Sequence, residues 1–505
     1  MPRRRLAAPQ AGLALLAVLV LPAVAAARPE PPPPHVDMPA AYVGGSTGAA
    51  LPPAALDQWW RLFGDSTLDS LEAEAFRTAP DALTAGARLV EARETRGAQI
   101  AATNPAGSIT GNASHQQSYG IGVPANDLNP TSGLTEQANG NFNVSWELDL
   151  FGRLATQRRI ARADSAEARF NVEGIRASLA ANVADQYFLA QGLVLQLEDS
   201  RQTLRIDNDL LQISRRKAAA GAGPTNDVDR VGAQASQAES QVTSLEAQLD
   251  DARRQLLILV GRDLRGVDDL ALTGATPDVP AMPHALPSEL LARRPDIRQA
   301  EYQLQAQLGT AHLAHLAIFP TFTLLPGLGL SSISAPGVGF IPPTTLITQQ
   351  QTTTTGFWTV AGGVSQPTLD IPKLLYQAKA EDARSREAAI AYQSTVRNAF
   401  GEAQNAMTDV IAGELAVNLL TEAEARAHRA YDGVRRGYDH GLDDLTTTLT
   451  EEQSWRVIRL ALTVRRVQTL RSAVESYKAL GGGWAYASFS AGPGARAAMG
   501  AGEGR

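Results

Sequence analysis

The stretch NGNFNVSWELDLFGR, residues 139–153, decides how this chain folds. Its large apolar residues alternate with polar ones, and they are Phe142, Val144, Trp146, Leu148 and Leu150. Side chains of a strand point to opposite faces in turn, so the stretch predicts a β-strand with one apolar and one polar face. A half-buried strand of a soluble sandwich has the same pattern, so the flanking sequence must indicate what the apolar face contacts.

The composition limits the class of protein. The 505 residues suit several domains or one elongated domain, and the net charge of −7 argues against a nucleic-acid partner. The chain contains no cysteine, which excludes disulfides, thiolate metal sites, a cysteine nucleophile and a lipidated amino-terminal cysteine.

The N-terminus has the three parts of a secretory signal peptide, predicted over residues 1–27. A basic run at 3–5 precedes an apolar run at 11–21 and small residues at 25–27. The apolar run is shorter than the roughly 20 residues of a membrane-spanning helix, and no later uncharged segment reaches that length. We therefore expect an exported protein, and if it crosses a membrane it must do so as β-structure. Residues 28–57 are rich in proline, which predicts an extended leader.

Long helices are predicted in two parts of the chain. Proline is missing from residues 131–223 and from residues 373–492. Because proline interrupts helices, these runs are where long helices can form. A helix over residues 152–219 would be on the order of 100 Å long, which is far beyond a usual globular helix.

Apolar residues in these runs have coiled-coil spacing. From Val183 to Leu211 they recur every seven residues, up to a break at residues 221–224. From Val228 to Leu259 they follow three-four spacing, and many of them are alanine. This pattern predicts a seam along which neighbouring helices approach closely.

The second half of the chain repeats the first. Pro295-Asp296 follows Pro80-Asp81 by 215 residues, and both pairs predict the start of a helix. Gly441 follows Gly221 by 220 residues, and each glycine predicts the turn of a helical hairpin.

Each half is therefore predicted as helix, two strands, long helix, turn and helix. Alternating patterns at residues 322–330 and 358–364 supply the two strands of the second half. The prediction is a tandem duplication, with repeats over residues 58–270 and 271–484, followed by a disordered tail over residues 485–505.

Four strands per chain are too few to close a membrane barrel, and open strand edges are not tolerated in lipid. The strands must either pack on the chain's own core or be pooled with those of other subunits. Three chains would supply about twelve strands, within the range of outer-membrane barrels. The expected fold is therefore an α+β membrane protein, with a long coiled-coil α-helical barrel and a transmembrane β-barrel shared by a trimer.

Four motifs carry a specific resemblance. They are SWELDLFGR (145–153), LLARRPDIRQAE (290–301), YDHGLDDL (438–445) and YKALGGGW (477–484). With their spacing, they resemble the TolC/OprM-like outer-membrane efflux factors of the NodT type. The resemblance implies a homotrimeric channel-tunnel in the outer membrane that extends into the periplasm. It also implies a periplasmic adaptor (membrane fusion protein) and an inner-membrane RND-type pump as partners.

The sequence departs from that family in two places. Many relatives carry a lipidated cysteine that this chain lacks, so anchoring would depend on the barrel. Relatives also often place an aspartate nine residues after the glycine that corresponds to Gly441, where this chain has Thr450.

No enzyme signature is present, and neither a cofactor nor a metal is expected. His312 and His315 have helical spacing but no carboxylate or cysteine beside them in the sequence to complete a metal site. Residues 481–483 are three glycines without the features of a phosphate loop, and they predict a helix C-terminus. Acids on the helices are interpreted as a solvated face.

The predicted function is a passive, gated outer-membrane duct that exports small toxic compounds or drugs, with energy supplied by its partners. Two alternatives are a type I secretion duct for polypeptides and a periplasmic coiled-coil structural protein that never enters the membrane. The identity of the substrate is left open.

Three groups of residues are predicted to serve this function. The lipid-facing group on the strand is Phe142, Val144, Trp146 and Leu148. The adaptor-docking group at the hairpin tips is Arg216, Gly221, Arg436 and Gly441, although the arginines could instead favour the negative helix ends. The gate group is Asp443, Asp444, Thr447 and Thr450, although the aspartates could instead favour the start of the last helix.

Overall fold

The computed structural model describes residue 39 and residues 53–118, 133–262, 264–270, 272–281, 292–341 and 345–484. The predicted signal peptide and the predicted tail lie outside these residues. Most of the predicted leader does too, but its last part forms a short helix, α1 (Pro53–Asp57), instead of an extended chain.

The helices match the predicted order. In the first half they are α2 (Ser66–Thr78), α3 (Pro80–Ala101), α4 (Arg153–Ala219) and α5 (Thr225–Val260). In the second half they are α6 (Pro295–Leu316), α7 (Ile371–Asp439) and α8 (Leu445–Ala479). Short 3₁₀ helices occur at Trp59–Phe63 and Leu264–Asp269. No helix in the described part of the chain is long and apolar enough to cross a membrane.

Four strands follow the predicted pattern, two in each half. They are β1 (Ala106–Ser118), β2 (Gly133–Leu148), β3 (Thr321–Ile341) and β4 (Thr345–Ser365). They form one antiparallel sheet in the order β1-β2-β3-β4. The sequence helix, two strands, long helix and helix therefore occurs twice, which confirms the predicted tandem-repeat fold.

Helix α4 is the centre of the helical part, since it packs against α3, α5, α6 and α8. The predicted seam on α5 is buried against it, at Val231, Leu245, Leu249 and Leu256 among others. The alanines of this seam permit the close approach of two helices that are each longer than 35 residues.

An aromatic cluster joins the beginning and end of the ordered chain. Trp59 is fully buried, and its ring is stacked on that of Tyr477, with 5.6 Å between the ring centroids. Phe63 packs against the same two rings. The helix end after Tyr477 is closed by Gly481 in the left-handed conformation, which confirms the predicted C-terminus.

Ion pairs connect the two halves along the α4–α8 contact. Asp185 binds Arg471 at 2.6 Å, and Asp199 binds Arg459 at 2.5 Å. Nearer the hairpin turns, the fully buried Asp207 binds an arginine of α8 at 3.2 Å. These three acids depart from the interpretation of helix acids as a solvated face, because the long helices pack on more than one side.

Candidate functional site

The two hairpin turns have the same backbone design. Gly221 and Gly441 both have positive φ, at 69° and 75°. In each turn the glycine N–H bonds to the carbonyl three residues back, and the next N–H bonds to the carbonyl five residues back. This is the Schellman motif, which requires a left-handed residue at the helix end, and glycine adopts that conformation without steric cost.

The structure brings the two turns together. Lys217 Nζ lies 3.7 Å from the centroid of the Tyr438 ring, so the end of α4 contacts the end of α7 through a cation–π pair. Arg230 on α5 donates to Thr446 Oγ1 on α8 at 3.1 Å. Beneath them is an apolar cluster of Leu210, Val231, Tyr438, Leu445 and Leu449. The two hairpins therefore end in one joint tip.

The predicted docking residues lie at this tip. Arg216 and Arg436 are exposed in the last turns of α4 and α7, and both glycines are exposed as well. Arg436 Nε donates to the Asp432 carbonyl at 3.1 Å, a contact that also suits a helix-end role. The sequence interpretation missed Leu442, which is 83 % exposed between Gly441 and the start of α8. An apolar residue directly after a turn glycine is the signal that could have identified it.

The predicted gate residues are all exposed at the start of α8, but they differ in their contacts. Asp444 is the N-cap of α8, since its carboxylate accepts the Thr447 N–H at 2.7 Å, and this bond lowers the pKa of Asp444. The Asp443 carboxylate lies over Gly437 and leaves no room there for a Cβ atom. Thr450 Oγ1 donates to the Thr446 carbonyl. The approach of these residues to their symmetry mates stays a prediction.

The apolar alternation on β2 extends across the whole sheet. Ile109, Phe142, Leu328 and Trp358 are register partners on four neighbouring strands, so they form one row on one face. All four are exposed, Ile109 and Trp358 by 84 % and 78 %. This apolar face has no cover within the described part of the chain.

The remaining predicted residues of β2 share this face. Val144 and Leu148 are half-buried and Trp146 is exposed. Trp146 is the register partner of Leu324, and Leu148 is the register partner of Phe322. On the opposite face a polar row runs through Asn112, Asn139, Ser331 and Thr355.

The histidine pair gives no metal site in the described residues. His315 Nε2 lies 3.0 Å from a carboxylate oxygen of Asp382 on α7. The sequence could not indicate this contact because Asp382 is 67 residues away. Among the described residues no group of three potential metal ligands comes together.

Comparison with known proteins gives consistent matches. The model of the outer membrane efflux protein family matches residues 73–262 and 286–482. The pyoverdine export outer membrane protein OpmQ of Pseudomonas aeruginosa is 25 % identical over 430 residues, covering 85 % of this chain and 87 % of OpmQ. The toluene efflux pump outer membrane protein TtgC of Pseudomonas putida is 28 % identical over 456 residues, covering 85 % and 86 %.

A solved structure agrees with these sequence matches. The outer-membrane channel OprN superposes with a TM-score of 0.73 at 25 % identity, covering 88 % of this chain and 98 % of that chain. Helices and sheet are thus matched together over nearly the whole of the known channel.

Proposed function

Because this chain belongs to the outer membrane efflux protein family, we propose that it exports small toxic compounds through a homotrimeric channel-tunnel served by an adaptor and an RND-type pump. The predicted function of an outer-membrane efflux channel is confirmed, as is its location in the outer membrane with an extension into the periplasm. The family consists of channel proteins, and these are homotrimers that work with an adaptor and an inner-membrane pump.

The observation that supports the proposal most is a sheet with one apolar and one polar face whose strands are connected to long helices. An uncovered apolar row on four strands suits contact with lipid, while the polar row opposite suits a watery lumen. The outer strands β1 and β4 pair on one side only within the described chain, so they are available to pair with neighbouring subunits.

The substrate class follows from the chemistry of a wide duct. Pyoverdine and toluene, which appear in the names of OpmQ and TtgC, have little chemistry in common. A passive lumen that only excludes lipid and contains water selects weakly, so we expect several small compounds as substrates and assign the choice among them to the pump.

The direct test is accumulation of a fluorescent efflux dye in cells with and without the gene. We expect heat-modifiable trimers in the outer-membrane fraction and higher dye accumulation in the deletion strain, restored by the intact gene. Unchanged accumulation, or a protein that stays soluble without detergent, would contradict the proposal.

The hairpin tip is proposed as the surface that meets the adaptor. Replacing Arg216 and Arg436 together with Glu should abolish resistance and leave the amount of outer-membrane trimer unchanged, because both side chains are exposed and bind no other helix among the described residues. The matched control reverses Arg205 and Arg426, exposed arginines on the same two helices farther from the turns. Retained resistance in the tip variant would favour the helix-end role.

The gate is proposed to lie at Asp443 and Asp444. The double replacement by Asn should change single-channel conductance and abolish block by multivalent cations in planar bilayers. Asparagine caps helices about as well as aspartate, so α8 should keep its start and the charge alone is removed. Unchanged conductance with block intact would move the gate towards Thr447 and Thr450.

A further inference from the structure

Glu452 is a buried acid close to the joint tip of the two hairpins. It lies on α8, eight residues after the N-cap Asp444, and its side chain is 0 % exposed. Eight residues of helix correspond to about 12 Å, so Glu452 lies about 12 Å along α8 from Asp444 of the predicted gate. A carboxyl group is almost never fully buried without a specific partner, so its surroundings need an explanation.

The charged groups around Glu452 come from three helices. On α8, Arg456 approaches Glu452 Oε1 at 3.5 Å, and on α4 the buried Asp207 binds the same guanidinium at 3.2 Å. On α7, Arg435 and Tyr431 interact electrostatically with Glu452. Two buried carboxylates therefore share the guanidinium of Arg456 at the contact between the first and second hairpins.

The shared arginine is bound more closely by Asp207 than by Glu452. Neither carboxylate oxygen of Glu452 accepts a hydrogen bond from any residue that the structure describes. A buried negative charge without hydrogen bonds is costly, and a bound proton removes that charge. Burial raises the pKa of Glu452 to about 7, with Asp207 adding to the rise while Arg456 and Arg435 oppose it.

We propose that Glu452 is a proton-binding site that sets how firmly the second hairpin is held against the first. When Glu452 is protonated, Arg456 pairs with Asp207 alone, and this ion pair holds α8 against α4. Ionised Glu452 competes with Asp207 for the same guanidinium and loosens the contact near the tip. The effect of this contact on channel opening rests on the proposed gate, whereas proton binding at Glu452 does not.

The direction of the pH effect follows from the raised pKa. The packed arrangement holds the proton more tightly than an exposed glutamate does, so the stabilising effect is fully present below the ordinary pKa of about 4.3. It is lost as pH rises through about 7. Acidification should therefore tighten the two hairpins, and mildly alkaline conditions should release them.

The first measurement is infrared spectroscopy of the full-length trimer in detergent. One component of the protonated carboxyl band should titrate with a midpoint near pH 7, and this component should be missing from the Glu452→Gln variant. The difference between the two proteins isolates this group from Glu72, another buried acid whose pKa is raised by burial. A band that titrates at the ordinary pKa of an exposed glutamate would overturn the proposal.

The second measurement is the frequency of channel opening in planar bilayers from about pH 6 to about pH 8. Over this range, the ratio of ionised to neutral form of a group with a pKa of about 7 changes about a hundredfold. The wild type should open more often as pH rises. Glu452→Gln, which mimics the protonated form, should stay within about twofold of its acid value. The control Glu451→Gln, only half-buried on the same turn, should keep the wild-type profile.

The Asp207→Asn variant tests the proton site independently, because it leaves Glu452 in place and removes its negative neighbour. Removing this negative neighbour should lower the pKa of Glu452, so the midpoint of the carboxyl titration should shift to lower pH. An unshifted midpoint, or a Glu452→Gln variant with the wild-type pH profile, would overturn the proposal. Absence of channels in every variant would instead contradict the proposed function, while the infrared titration would still decide the proton site.

Discussion

Replacing Trp59 with Ala should lower the free energy of unfolding by about 3–5 kcal/mol, the usual cost of removing a large buried aromatic side chain. Trp59 is fully buried and stacked on Tyr477, and Phe63 packs against its edge. Gly482 and Gly483 pack closely on the ring, since a Cβ atom at either position would lie 2.9 or 3.3 Å from a ring atom of Trp59. Urea unfolding of the purified trimer, followed by helical circular dichroism, measures the effect.

Two controls distinguish loss of packing from other effects of removing Trp59. Tyr376→Ala removes an aromatic residue that is 74 % exposed, so the free energy of unfolding should change by well under 1 kcal/mol. Trp59→Phe should cost much less than Trp59→Ala, because the ring stack is retained. The indole Nε1 finds no hydrogen-bond acceptor among the described residues, so no bond is lost. An equal loss in Trp59→Ala and Tyr376→Ala would contradict this account of the core.

The elements of the fold could be predicted because the signals for them are local. Helices α4 and α5 follow from apolar spacing over neighbouring turns, and Gly221 between them supplies the backbone conformation that the turn requires. The alternation of β2 is equally local, and the repeat then transfers each assignment to the second half. Local patterns are therefore sufficient to locate β2 and the two hairpin turns, whereas β3 (Thr321–Ile341) and β4 (Thr345–Ser365) are both longer than the alternating stretches that predict them.

The burial of particular charges could not be predicted in the same way. Glu452 follows Glu451 on a helix rich in polar residues, which is typical of a solvated face. Its surroundings depend on Asp207, which lies 245 residues earlier on a helix that only the tertiary fold brings alongside. The sequence leaves two roles open for Asp444, and its hydrogen bond from the Thr447 N–H supports the capping role without deciding the gate.

Placing an arginine at Val144 should destabilise the assembled protein by about 2–4 kcal/mol, the cost of a positive charge on the lipid face of a barrel near mid-bilayer. Val144 follows Phe142 by two residues, so it shares the apolar face that runs across all four strands. Ser145→Arg is the matched control, because its side chain points to the polar face, where water can solvate the guanidinium. The amount of heat-modifiable trimer in the outer membrane measures both variants. We expect a large loss for Val144→Arg and nearly normal assembly for Ser145→Arg. Equal sensitivity at the two positions would mean that the apolar row does not face lipid, and the four strands would then need another role.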